Sequence, residues 1–231
     1  SYSHTLALSS IREVYSWGSS KYGCLGIKSD DNSSVPRLIK YDINGNQFKD
    51  IEKIACGMYF SLALNTKGKV YSWGYGNLGR LGHNNENSYE MPNIITFFED
   101  NDIFINNIKC GDTFSAAICN SKQIYTWGNG SNGMLGHGNY LNLLAPKKIY
   151  FFSDSKIENV FLGSYNAIVI LSDNQLFTWG KNCHGMLGMP NYYNQTILIP
   201  TEIVFQDDIV VREISLGTMH TLFITSTGKI Y

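Results

Sequence analysis

Short segments of alternating apolar and polar residues, broken by Gly, Asn and Asp, run the length of the chain. Lys69-Val-Tyr-Ser-Trp73 is rich in β-branched and aromatic residues and predicts a strand. Ser61-Leu-Ala-Leu64 precedes it, and the linking Asn65-Thr-Lys-Gly68 predicts a tight hairpin. Gly68, Asn174 and Gly228 share this turn position, where positive φ is easiest for Gly and tolerated by Asn. Lys122 and Arg12 stand there in the other copies, which predicts different turns at those two places. No segment has a helical period of useful length.

The pattern is a repeat. Trp17, Trp73, Trp127 and Trp179 are each followed by Gly, with spacings of 56, 54 and 52 residues. A Leu-Gly follows at a fixed offset: Leu25-Gly26, Leu81-Gly82, Leu135-Gly136 and Leu187-Gly188. Pro36, Pro92, Pro146 and Pro200 come next, each three residues before Ile39, Ile95, Ile149 or Ile203. A second block, Gly57-Met-Tyr-Phe-Ser-Leu-Ala-Leu64, aligns with the blocks starting at Gly111, Gly163 and Gly217 and with Ser1–Leu8. An apolar triplet precedes each glycine, as in Ile51, Ile54 and Cys56.

Four short strands per period and no helix predict the blades of a β-propeller. We divide the chain into repeats of about 1–56, 57–110, 111–162 and 163–216, with a partial 217–231, in one partial propeller domain over 1–231. Tyr231 falls at the repeat position of Tyr15, so the chain reads as a piece of a longer protein. Each Trp is expected to wedge between adjacent sheets, with the following Gly leaving room for the ring or permitting a bend. Each Leu-Gly is expected to anchor its loop in the core. Cys56 and Cys110 align with Leu162 and Leu216 and read as core hydrophobes.

Composition narrows the classes further. The 231 residues are 43% hydrophobic and 16% charged, which excludes a disordered chain. A net charge of −1 with no Lys/Arg run gives no sign of direct nucleic-acid binding. The longest aliphatic run, near Ala167–Leu171, is far too short to span a membrane. Five irregularly spaced cysteines make no disulfide framework, and Cys183-His184 lacks a second ligand pair, so a reducing intracellular compartment is expected. Asn-x-Ser/Thr triplets at Asn32, Asn129 and Asn194 read as chance in an Asn-rich chain. Gly-Tyr-Gly-Asn-Leu-Gly79 matches a dinucleotide fingerprint only formally, since no βαβ unit surrounds it. No covalent catalytic constellation is present in the sequence, and no cofactor or metal is expected.

The period and the motifs Tyr71-Ser-Trp-Gly-Tyr-Gly-Asn-Leu-Gly-Arg-Leu-Gly-His83 and Gly217-Thr-Met-His-Thr-Leu-Phe-Ile224 resemble the regulator of chromosome condensation repeat family over essentially the whole chain. The resemblance implies an all-β fold: an open arc of four blades plus a partial fifth from a seven-bladed ring. It implies protein recognition by loops on a rigid scaffold, in the nucleus or cytoplasm. The founding member is an exchange factor for the Ran small GTPase; other members are recognition modules in ubiquitin ligases, kinases and trafficking proteins. A plant member is a UV-B receptor with tryptophans at the second position of the Gly-x-x-His block. Tyr2, Met58, Asp112, Ser164 and Thr218 stand there, which excludes that role.

By the same resemblance the partner is a Ran-type GTPase or another protein. Asp112 matches an acidic position on the exchange factor's GTPase-binding face. His220 and His4 hold the family's characteristic histidine position, replaced by Phe60, Phe114 and Asn166 in the other copies. Each also has an ordinary structural reading: an Asp that caps a turn, a His that satisfies nearby polar groups. His83 and His137 read as turn residues. The exchange factor's protruding wedge has no counterpart, because six residues separate Trp-Gly from Leu-Gly in every copy.

Overall fold

The computed structural model describes residues 3–29, 31–205 and 209–231; Tyr2 lies outside them. Among the described residues, five antiparallel sheets follow one another along the chain. The first holds β1 (His4–Leu8), β2 (Val14–Gly18) and β3 (Ser33–Leu38). The second holds β4 (Ile51–Cys56), β5 (Phe60–Asn65), β6 (Val70–Gly74) and β7 (Tyr89–Ile94). The third holds β8 (Ile105–Cys110), β9 (Phe114–Cys119), β10 (Ile124–Gly128) and β11 (Leu143–Lys148). The fourth holds β12 (Ile157–Leu162), β13 (Asn166–Leu171), β14 (Leu176–Lys181) and β15 (Thr196–Glu202). The last pairs β16 (Val211–Leu216) with β17 (Thr221–Thr225), and Ile230 bridges to Ile224.

Each sheet is a simple meander, the form of a propeller blade. β4, β8, β12 and β16 pack side by side, so the sheets radiate from a shared inner edge. The fold is the all-β propeller arc that the repeat implies. The sequence period runs out of phase with the sheets by one strand. It starts at the second strand of one sheet and ends on the first strand of the next.

The cores lie between sheets. One cluster joins Leu62, Leu64 and Val70 of the second sheet to Ala117, Cys119 and Trp127 of the third. Trp73, Trp127 and Trp179 are fully buried, as the wedge reading requires, whereas Trp17 of the first sheet is only partly buried. Each indole N–H donates to a carbonyl of the preceding sheet's loop: Trp73 to Cys24 at 3.1 Å, Trp127 to Arg80 at 3.1 Å and Trp179 to Met134 at 2.8 Å.

Room for the ring is made elsewhere than expected. A Cβ on Gly26, Gly82 or Gly136 would lie 2.7, 2.8 or 3.0 Å from the Nε1 of the next repeat's tryptophan. The glycine of Leu-Gly is therefore the seat of the following indole. The glycine after each tryptophan serves the backbone instead. At Gly74 and Gly180 a Cβ would strike the carbonyl of Tyr59 or Tyr165, and the strand register shifts there. The Leu of Leu-Gly is buried in all four copies, as anticipated. The residue before the tryptophan holds it: Ser16, Ser72 and Thr126 donate to the carbonyls of Leu25, Leu81 and Leu135.

Two sequence expectations need correction. Arg12 and Lys122 take the same left-handed turn as Gly68 and Asn174, with φ of 67° and 61° against 75° and 69°. Their N–H groups close the same turn, Arg12 to Ser9 and Lys122 to Cys119, as Gly68 does to Asn65. The hairpin register imposes the conformation, at a cost of about 1 kcal/mol for a residue with a side chain. A short helix, α1 (Thr96–Asp100), also forms where none was expected. Five residues are too few to show a period, but Phe98 buries against Trp127 with ring centroids 5.9 Å apart.

Candidate functional site

In a meander, the turns between first and second strands lie at the same end as the loops between third and fourth strands. Here those segments are 57–59, 111–113, 163–165 and 217–220, with the long loops around 75–88, 129–142 and 182–195. The first-to-second turns converge on the inner edge around a cavity of about 300 Å³. Gly57, Gly111, Gly163 and Gly217 line it, with Asp112, Ser164 and Thr218 beside them. The Met58 N–H donates to the Asp112 carbonyl at 2.9 Å, tying consecutive turns together.

Asp112 is half-buried in this mouth. The ion pairs among the described residues are Lys69–Glu99 and Lys122–Glu158, so Asp112 enters none. Its electrostatic neighbour is Arg80, a buried guanidinium. Burial lowers the Arg80 pKa, and Tyr75 and Asp112 oppose that shift. Arg80 donates through Nε to the Asn77 carbonyl at 2.9 Å and through Nη1 to the Met58 carbonyl at 3.2 Å. It also sits 4.9 Å from the Tyr75 ring centroid. Tyr75 stacks on Tyr22 at 4.1 Å, and Tyr59 meets Tyr22 edge-on at 5.6 Å.

Sequence reasoning missed this cluster. One signal was available: Arg80 stands where the other copies carry Cys24, Met134 and Met186. Tyr59 had no such signal; its φ of 63° is left-handed, an uncommon state for a bulky residue.

His4 is buried between the first and second sheets, with Nε2 2.7 Å from the Ser61 hydroxyl. Burial lowers its pKa to about 4, which keeps the ring neutral. His220 is exposed and lines a separate cavity of about 330 Å³ with Met186, Gly188 and Phe223. Asp112, His4 and His220 thus lie in three surroundings and do not share one cavity. The corresponding Asn166 is fully buried, and neither of its amide atoms has a hydrogen-bond partner among the described residues. His83 and His137 sit at bends, as read from sequence, and their rings lie 2.7 and 3.0 Å from the hydroxyls of Ser72 and Thr126.

Cys56 and Cys110 line the axial cavity with Leu162 and Leu216, their repeat equivalents. Burial pushes the Cys110 thiol well up, away from the nucleophilic thiolate. No group of three or more His, Cys, Asp or Glu side chains that could hold a metal occurs among the described residues. No helix among them is long and apolar enough to cross a membrane. The arrangement provides a loop-bearing face whose mouth carries one carboxylate, Asp112, and is suited to recognition of another protein.

Comparisons with known proteins agree with this geometry. The profile of the RCC1-like domain matches residues 1–231. The human E3 ubiquitin-protein ligase HERC2 is 29% identical over 230 residues, covering 99% of this chain and 5% of that protein. The ultraviolet-B receptor UVR8 of Arabidopsis thaliana is 31% identical over 229 residues, covering 99% of this chain and 50% of the receptor. The chain therefore spans half or less of these relatives. Prp20p of Saccharomyces cerevisiae, studied for its binding to Gsp1p and histones, superposes with a TM-score of 0.83 at 25% identity, over 99% of this chain and 54% of that one. Human WBSCR16 superposes equally well, with a TM-score of 0.83 at 21% identity over 97% of this chain and 56% of that one. From its repeats, its radiating sheets and these matches over its whole length, the chain belongs to the RCC1-like domain family.

Proposed function

We propose that this arc contributes the partner-binding face of a guanine-nucleotide exchange factor for a Ran-type small GTPase, within an intracellular protein. The observation that carries the reading is the Asp112 carboxylate. It stands at the axial mouth, partly desolvated and outside any ion pair among the described residues. Exchange requires no covalent chemistry. A factor that binds the nucleotide-free GTPase more tightly than the loaded form weakens nucleotide affinity by linkage. An acidic group presented on a rigid face can compete for the phosphate-binding lysine of the GTPase. The likeness to Prp20p, a protein studied for binding Gsp1p, supports the same partner class.

A second reading has its own support. The long loops of the second and third sheets run over 75–88 and 129–142 with equal length, and none extends into a wedge. That favours a recognition module without exchange activity, as a multidomain protein such as a ubiquitin ligase would carry. Release of fluorescent GDP from a Ran-type GTPase separates the two. Under the exchange reading the full-length protein accelerates release, and Asp112→Ala reduces the acceleration by about 10-fold or more. No acceleration by a folded protein rejects the exchange reading and leaves the recognition module.

A further inference from the structure

A further cavity lies away from the axial mouth. It is a cleft of about 450 Å³ between the first and second sheets, toward their outer strands β3 and β7. Lys28, Arg37 and Lys40 line it, and Ile27, Met91 and the Tyr41 ring supply apolar wall. Lys28 comes from a loop, Arg37 from β3 and Lys40 from the connection to β4, so no run of basic residues announces the group in sequence. No carboxylate lines the cleft among the described residues.

Asp42 and Glu13 are engaged elsewhere, and Glu90 is directed away from the cleft. Asp42 is buried and accepts three hydrogen bonds, from the N–H groups of Asn44 and Asn46 and from Asn46 Nδ2, at 2.9, 2.9 and 3.0 Å. Glu13 accepts from the Tyr15 hydroxyl at 3.1 Å. Glu90 precedes Met91 on β7 and lays its stem against Gly23, on the opposite side of the strand. None of the three cations makes an ion pair among the described residues. The wall is also fixed in place: the Ile43 N–H donates to the Pro92 carbonyl at 2.9 Å, stitching the Asp42 loop to the next sheet.

We propose that this cleft binds an acidic peptide segment of a protein partner, one carrying a single apolar side chain among its carboxylates. The carboxylates pair with Lys28, Arg37 and Lys40 at the rim, and the apolar side chain enters the hollow against Ile27, Met91 and Tyr41. Nucleic acid fits less well, because phosphate backbones are bound along extended basic grooves or stripes, whereas these cations ring one apolar hollow. The site is separate from the axial mouth, so the proposal stands whether or not exchange activity exists.

The test is fluorescence anisotropy on the full-length protein with a fluorescein-labelled Glu-Glu-Phe-Glu-Glu peptide. The labelled peptide binds, and a Gln-Gln-Phe-Gln-Gln peptide binds at least about 10-fold more weakly. The double variant Lys28→Glu/Lys40→Glu weakens the acidic peptide about 10-fold or more. Tyr41→Ala, which keeps the charges, weakens it about 3-fold or more. Lys156→Glu, on the connection between the third and fourth sheets, leaves it unchanged. All these side chains are exposed, so the variants fold, and circular dichroism checks this. The proposal falls if the two peptides bind alike or if Lys156→Glu weakens binding as much as the double variant. It also falls if a short DNA duplex displaces the peptide at equal phosphate and carboxylate concentration.

Discussion

Gly82→Ala tests the claim that the glycine of each Leu-Gly seats the next tryptophan. The new methyl would lie 2.8 Å from Trp127 Nε1 and 3.1 Å from its Cδ1, well inside van der Waals contact. The indole sits in a fully buried core and cannot retreat freely. Overpacking of this kind costs about 1–3 kcal/mol. Pushing the ring away from the Arg80 carbonyl loses a hydrogen bond of 3.1 Å and strands a buried N–H, about 1 kcal/mol more. Alanine at a φ of 82° adds about 1 kcal/mol. The expected loss is about 3–5 kcal/mol. Gly45→Ala isolates the backbone part, since Gly45 has a φ of 80° and nothing within 4 Å of an added Cβ. It should lose only about 1 kcal/mol. Urea unfolding followed by tryptophan emission measures both, with unchanged m-values as the check on a common unfolded state. Equal losses for the two variants would refute the seat.

Other expectations follow from the histidine block and from burial. Asn166→Phe reproduces Phe60 and Phe114 at the equivalent position and removes two buried atoms without partners among the described residues, so thermal melting should show a gain of about 1–2 kcal/mol. A lower melting temperature would mean that the space around Asn166 is too small for the larger ring. His4, His83 and His137 all have pKa values lowered to about 4, chiefly by burial, from the usual 6.5. The unfolded chain therefore binds more protons between these values, and stability is full above about pH 6.5 and lost as pH falls through about 4. Each histidine should account for about 1–2 kcal/mol of that loss after solvent screening, and His83→Gln should flatten a melting profile taken from pH 7 to 4. An unchanged slope in that variant would count against a buried neutral ring.

Much of the architecture was legible because one unit is written four times. The spacing of Trp17, Trp73, Trp127 and Trp179 and the recurrent Gly-x-x block specify strands, turns and blades, since each copy must solve the same packing problem. The buried tryptophans and the buried Leu of Leu-Gly were readable for the same reason. Individual departures from the repeat were harder. Lys122 and Arg12 look unfit for a left-handed turn, yet the paired strands on either side hold them there. Asp112 was singled out by the family resemblance, while Arg80 and Tyr59 acquire meaning only beside Tyr75 and Tyr22.

By itself, then, the sequence determined the all-β class, the strand and turn pattern and the positions that must be buried. These depend on the local alternation of side chains and on recurrence, both written in one dimension. The tertiary structure decided which repeat receives each indole, where a sheet begins within the period, and that His4 faces inward while Asp112 faces the axial mouth. It also gathered Lys28, Arg37 and Lys40 around one apolar hollow and kept Asp42 from neutralising them. Those outcomes depend on packing between sheets, where partners about one period apart meet, and no local pattern encodes which atoms then touch.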